Sequence, residues 1–190
     1  MRTDAAETRR AILEAATAEF SRHGLAGARV DRIAAEAGCS KERLYANFGD
    51  KRSLFTTVLN GTFETMGEAA SRPAASVEEF ALAVFDHMQA HPDHNRLLAW
   101  ARLEGEHDWE ASVPTLRSVQ DAALSQLDRL RRDPAVTVSW SSDDIFALVM
   151  SLACAWQNLP GLGEAHPGVV LDPALQREIV HEAVRRLTTA

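Results

Sequence analysis

Apolar residues along this chain recur at one-turn spacing, and no run of alternating residues is convincing as a strand. Residues 4–23 put Ile12, Leu13, Ala16 and Phe20 on one helical face, with Gly24 as a stop and Leu25 able to pack back. Val30, Ile33, Ala34 and Ala37 then form the stripe of a short second helix. Gly38 can take the left-handed conformation that ends a helix without a Cβ clash, and Ser40 stands where an N-cap belongs. The next helix turns Leu44 and Phe48 inward at i, i+4, which leaves Lys41, Glu42, Arg43, Tyr45, Ala46 and Asn47 largely outward. Two helices joined by so tight a turn read as a helix-turn-helix. A helix this short does not hold together alone in water. Held out by its neighbours, it suits the major groove of a duplex.

Gly49-Asp50 breaks and caps, and the pattern predicts a fourth helix from about Lys51 to Met66 with Leu54, Phe55, Val58, Leu59, Phe63 and Met66 inward. Gly67 to Ser76 has small residues, one proline and no apolar stripe, so it marks a domain boundary. The expected domains are residues 1–66 and 67–190. In the second, Ser76 and Glu79 form a capping box that opens a helix with Val77, Phe80, Ala81, Val84, Phe85 and Met88 inward, ended by His91-Pro92. Further helices are expected near 93–104 and 114–132, the latter with Leu116, Val119, Ala123, Leu127 and Leu130 on one side. Ser142-Asp143-Asp144 caps a helix near 143–157 that is uncharged from Ile145 to Asn158, so it should be buried on more than one side. After a Pro/Gly loop at 158–172, Asp172-Pro173 caps a last helix with Leu175, Ile179, Ala183 and Leu187 inward.

A net charge of −7 over 190 residues argues at first against nucleic acid. Its distribution reverses that: residues 1–52 hold ten Lys/Arg against eight Asp/Glu, +2, and the remainder carries −9. Both lysines, Lys41 and Lys51, lie in the basic part, and an acidic body resists non-specific sticking to DNA. Two cysteines make no disulfide framework, which fits a reducing cytosol. The charged start, MRTDAAETRR, reads as no secretory signal, and the longest apolar run is too short to span a membrane.

The segments AILEAATAEFSRHG, VDRIAAEAG and SKERLYANFGDKRSLF, in that order, resemble the TetR family of bacterial transcriptional repressors from about Thr8 to Leu59. The resemblance implies an all-α fold, with an N-terminal helix-turn-helix domain and a C-terminal helical domain for ligand binding and dimerisation. It implies a cytoplasmic homodimer on a palindromic double-stranded operator, released by a small-molecule effector, and neither an enzyme nor a cofactor protein. Dimerisation is expected through the helices near 143–157 and 173–188.

Carried over residue by residue, Lys51 matches a lysine that contacts phosphate, and Tyr45 a tyrosine that packs against the DNA backbone. Ser40, Lys41, Glu42 and Ala46 lie where the family reads base edges or backbone. Lys41 could donate to guanine and Glu42 accept from cytosine N4, or Glu42 could simply favour the positive end of its helix. Arg29 replaces the usual Ser or Thr cap and could meet a phosphate, Asn47 replaces a frequent His or Tyr, and Cys39 stands where Val is usual and reads as a small core hydrophobe.

The effector is the least legible part. Phe85, Met88, Trp100, Leu103, Leu116 and Trp156 could line an apolar cavity or simply fill the core. Glu104-x-x-His107 and Glu178-x-x-His181 match a di-iron ligand pattern, and His87, His91 and His94 cluster in sequence. With 15 glutamates and seven histidines such pairs arise by chance, and no metal site is assigned. A helical-bundle metalloenzyme and a protein-interaction adaptor are the rival readings.

Overall fold

The computed structural model describes residues 5–104, 113–159 and 172–189. Those residues form helices joined by turns and loops, with no strand among them. The helices are α1 (Ala5–Gly27), α2 (Val30–Glu36), α3 (Lys41–Phe48), α4 (Lys51–Ala70), α5 (Val77–Ala90), α6 (Pro92–Glu104), α7 (Pro114–Leu130), α8 (Ser142–Ala153), α9 (Ala155–Asn158) and α10 (Pro173–Thr188). No helix among the described residues is long and apolar enough to cross a membrane.

The chain forms two compact units, residues 1–63 with 93–116, and residues 64–92 with 117–190. In the first, Ile12, Ala16 and Phe20 of α1 are buried with Ile33 of α2, Leu44 of α3, and Leu54, Val58 and Leu59 of α4. The Phe20 ring meets Phe55 edge-on at 5.0 Å. Gly24 interrupts α1 at φ 65°, and a Cβ there would lie 2.6 Å from the Glu104 carboxylate and 2.7 Å from the Trp100 ring. That close approach serves hydrogen bonding. Trp100 Nε1 donates to the Ser21 carbonyl at 3.2 Å, and the Leu25 and Ala26 N–H groups donate to Glu104 at 2.5 and 3.2 Å. Glu104 therefore satisfies backbone donors, and its expected partner His107 lies outside the described residues.

The second unit is built on α5, whose Val77, Phe80, Ala81, Val84 and Phe85 pack with Ala123 and Leu127 of α7, Ile145, Val149 and Ala153 of α8, and Val180 and Val184 of α10. Ser76 caps α5 by accepting the Glu79 N–H, while the Glu79 carboxylate reaches one residue further back, to the Ala75 N–H at 2.8 Å. α4 runs to Ala70, four residues beyond the expected end, and the buried Gln126 amide closes it by donating to the Ala70 carbonyl at 2.9 Å.

Two expectations are corrected. The cap of α8 is Ser141, in a reciprocal capping box with Asp144, and α8 ends at Ala153, where Cys154 leaves helical geometry before the short α9. In α10 the buried stripe is Gln176, Val180, Val184 and Thr188, whereas Leu175 and Ile179, read as inward, are 53% and 46% exposed. The helix has two adjacent faces, and the one turned to α5 is closed at its ends by polar contacts. Gln89 donates to Gln176 at 3.0 Å, and Thr188 donates back to the Val184 carbonyl at 2.9 Å. Glu178 and His181 are both exposed, and no set of three metal-ligating side chains occurs among the described residues.

Candidate nucleic-acid interface

The exposed surface of α3 is set by two short-range devices. Gly38 takes φ 63°, which lets the chain reverse between α2 and α3 with a Cβ-free residue. Ser40 then caps α3, its hydroxyl accepting the Arg43 N–H at 3.2 Å. With Leu44 and Phe48 buried, Lys41, Glu42, Arg43, Tyr45 and Ala46 are exposed, Tyr45 to 42%. Asn47 differs from expectation: it is half-buried, and its amide folds back to donate to the Arg43 carbonyl at 2.8 Å. Cys39 is half-buried rather than a core residue.

Several charged residues here already have partners within the unit. Lys41 forms an ion pair with Asp31 of α2. Both side chains are exposed, so the pair contributes little and can be exchanged for another anion. The Glu42 carboxyl is held below the usual range by its own backbone N–H and the Ser40 hydroxyl, and it keeps its charge near the positive end of α3. Arg9 of α1 lies 4.4 Å over the Phe48 ring and donates to the Asn47 carbonyl at 3.4 Å, at the C-terminal end of α3. Lys51, half-buried, donates to the Ala26 and Ala28 carbonyls at 3.3 and 3.2 Å. An ammonium has three donors, so Lys51 can hold the loop between α1 and α2 and still offer one N–H outward.

Arg29, the residue before α2, makes no side-chain cap. Glu19 compensates. This carboxylate, a residue the sequence reading did not single out, accepts the Arg29 N–H at 2.8 Å and the Arg32 guanidinium at 2.9 Å. Burial pushes its pKa up, but Arg32 and the Arg29 N–H outweigh that and leave it below the ordinary value. The signal was available: Glu19 shares helical register with Ile12, Ala15 and Ala16, where a carboxylate needs a partner.

The six residues considered for an effector pocket are divided between the two units. Phe85 and Met88 are buried in the second unit, and Trp156 meets Phe85 edge-on at 6.2 Å. Trp100, Leu103 and Leu116 belong to the first unit, and Leu103 is 78% exposed.

Two helices around a glycine turn, the second capped and exposed, define a helix-turn-helix protein with a separate helical unit attached. The family model described as bacterial regulatory proteins, tetR family, matches residues 12–58, and that of the tetracyclin repressor-like C-terminal domain matches residues 76–186. The chain belongs to the TetR family of bacterial transcriptional regulators. It is 42% identical over 101 residues to the HTH-type transcriptional repressor SCO4008 of Streptomyces coelicolor, covering 53% of either chain. It is 30% identical over 128 residues to the HTH-type transcriptional repressor NicS of Pseudomonas putida, covering 63% of this chain and 59% of that one. The chain thus spans little more than half the length of these curated relatives. Among solved structures, SCO4942 of Streptomyces coelicolor, assigned as a transcriptional regulator, is 36% identical with a TM-score of 0.79, over 95% of this chain and 97% of that one. The matched families and relatives are transcriptional regulators, not enzymes.

Proposed function

We propose that this protein is a cytoplasmic transcriptional repressor that binds a palindromic operator as a homodimer and is released by a small-molecule effector. In this reading residues 1–66 carry DNA binding and residues 67–190 carry effector binding and dimerisation. Ser40, Lys41, Glu42, Tyr45 and Ala46 meet the major groove and its backbone, while Arg29, Asn47 and Lys51 meet phosphates. The observation that carries it is the exposed, capped α3, whose outward side chains include two cations, a carboxylate and a tyrosine beside the two cationic residues that open α4.

Dimerisation is supported by apolar side chains that a single chain leaves in water. Leu175 and Ile179 of α10 and Leu148 of α8 are 53%, 46% and 38% exposed. An α10 face of this kind fits a symmetric partner that buries the same residues twice. The effector acts by population shift: a ligand that binds a splayed dimer better than the DNA-competent one removes it from the operator. α4, which contributes residues to both compact units, is the natural lever. Sedimentation with a bound duplex tests the reading. It predicts two chains per operator, and a single folded chain per duplex overturns it.

A further inference from the structure

In the second unit two hollows share a wall. One is a groove of about 330 Å³ on the outer side of α5, bordered by Arg72 after α4 and by Arg177 of α10. The other is an apolar cavity of about 30 Å³, lined by Met66, Met88, Met150, Val84, Val119 and Phe146. Ala69 and His87 border both. Met66, Met88 and Met150 are all the methionines this chain has after Met1, and they meet at one place from α4, α5 and α8. The cavity holds about one water, far below the roughly 300 Å³ of a small-molecule site. Methionine is the side chain best able to change that, since its three rotatable bonds let it repack without moving a helix.

The two hollows differ in charge. His87 is the titratable group at the cavity wall, and burial, followed by His91 and Arg72, pushes its pKa down to about 4. The cavity side is therefore uncharged at neutral pH. In the groove, the Asp86 carboxylate is held by Arg177 at 2.9 Å, and Glu79 accepts the Ala75 N–H at 2.8 Å. Among the described residues, no carboxylate lies within ion-pair distance of the Arg72 guanidinium, which leaves it as the groove's unmatched cation.

We propose that the groove and cavity form one amphipathic effector site partitioned by His87, and that the effector is an apolar molecule bearing one carboxylate. Its apolar end displaces the three methionines, and its carboxylate pairs with Arg72. The word effector rests on the repressor reading above; the binding itself does not.

The test uses the full chain labelled with ¹³C at methionine methyls, with 4-phenylbutyrate and 4-phenylbutan-1-ol as probes differing only in head group. The acid is expected to shift the Met66, Met88 and Met150 methyl signals and to bind about tenfold tighter than the alcohol, as a charge-assisted contact gives. Arg72→Gln, at an exposed position, is expected to bring the acid to the affinity of the alcohol. Unmoved methionine signals in the folded protein overturn the site. Equal affinities of acid and alcohol, or an Arg72→Gln variant that still prefers the acid, overturn the carboxylate. Operator binding is measured on the same sample. Failure of the probes with operator binding intact removes this site alone, and probe binding by a protein indifferent to DNA removes the repressor reading alone.

Discussion

Glu19 offers the sharpest perturbation of the DNA-facing unit. Its carboxylate replaces the missing cap of α2 and joins that helix to α1. Glu19→Ala would leave the Arg29 N–H and the Arg32 guanidinium without their acceptor. A hydrogen bond to a charged group contributes about 1.5–3 kcal/mol. Arg32 is 46% exposed, so solvent screens its pairing and the bond to the Arg29 N–H carries the effect. The expected loss is about 1.5–3 kcal/mol, which for a chain of this size lowers the melting midpoint by about 3–12 °C. Urea titration monitored by circular dichroism measures it. The pH dependence adds an independent check. The folded Glu19 value lies below the ordinary 4.5, so the stabilisation is complete above about that pH and is lost as pH falls through the folded value. Glu19→Gln, which keeps one acceptor for Arg29 but no charge, should therefore differ most from the parent at neutral pH and progressively less as pH falls below the ordinary 4.5. A loss below about 0.5 kcal/mol for Glu19→Ala, or a gap to Glu19→Gln unchanged with pH, would refute the role assigned to this carboxylate.

Lys51→Met keeps the side-chain stem and removes the ammonium; it should lower the slope of log affinity against log salt by about 0.9 per half-site, and an unchanged slope removes Lys51 from the phosphate contacts. On the proposed dimer, Ile179→Arg should sediment as a folded monomer where the parent sediments as two chains, and a variant that remains dimeric excludes this face of α10 from the interface. His87 sits near 4 in the fold against an ordinary 6.5, so its contribution is full above about pH 6.5 and is lost as pH falls toward 4. His87→Phe should lose less stability over that window in a thermal melt, and an equal loss would show that His87 is not titrating there.

The sequence was most legible where one local pattern decides one local structure. Leu44 and Phe48 at i, i+4, Ser40 as cap and the six inward residues of α5 lie where their spacing puts them. It was least legible where a residue's meaning depends on a distant partner. Glu19 stands in the buried register of α1, but its partners, Arg32 and the Arg29 N–H, lie beyond its own helix and no spacing within α1 names them. Leu175 and Ile179 look like core until α5 turns out to bury the adjacent face. The shift of the α8 cap from Ser142 to Ser141 turned on which of two adjacent serines reaches the backbone. Met66, Met88 and Met150 are too far apart in sequence for any periodicity to connect them. Lys41 and Lys51 were singled out as charges for DNA, and both already have partners in the free chain, Asp31 for one and two carbonyls for the other.

Selection of duplexes from a random library by the full chain, at low and then physiological salt, bears most directly on the assignment of α3. The account predicts enrichment of two-fold symmetric sites with half-site centres about one helical turn apart, roughly 34–36 Å. Recovery of a sequence-independent pool by folded protein, at the lowest salt as at the highest, would contradict it.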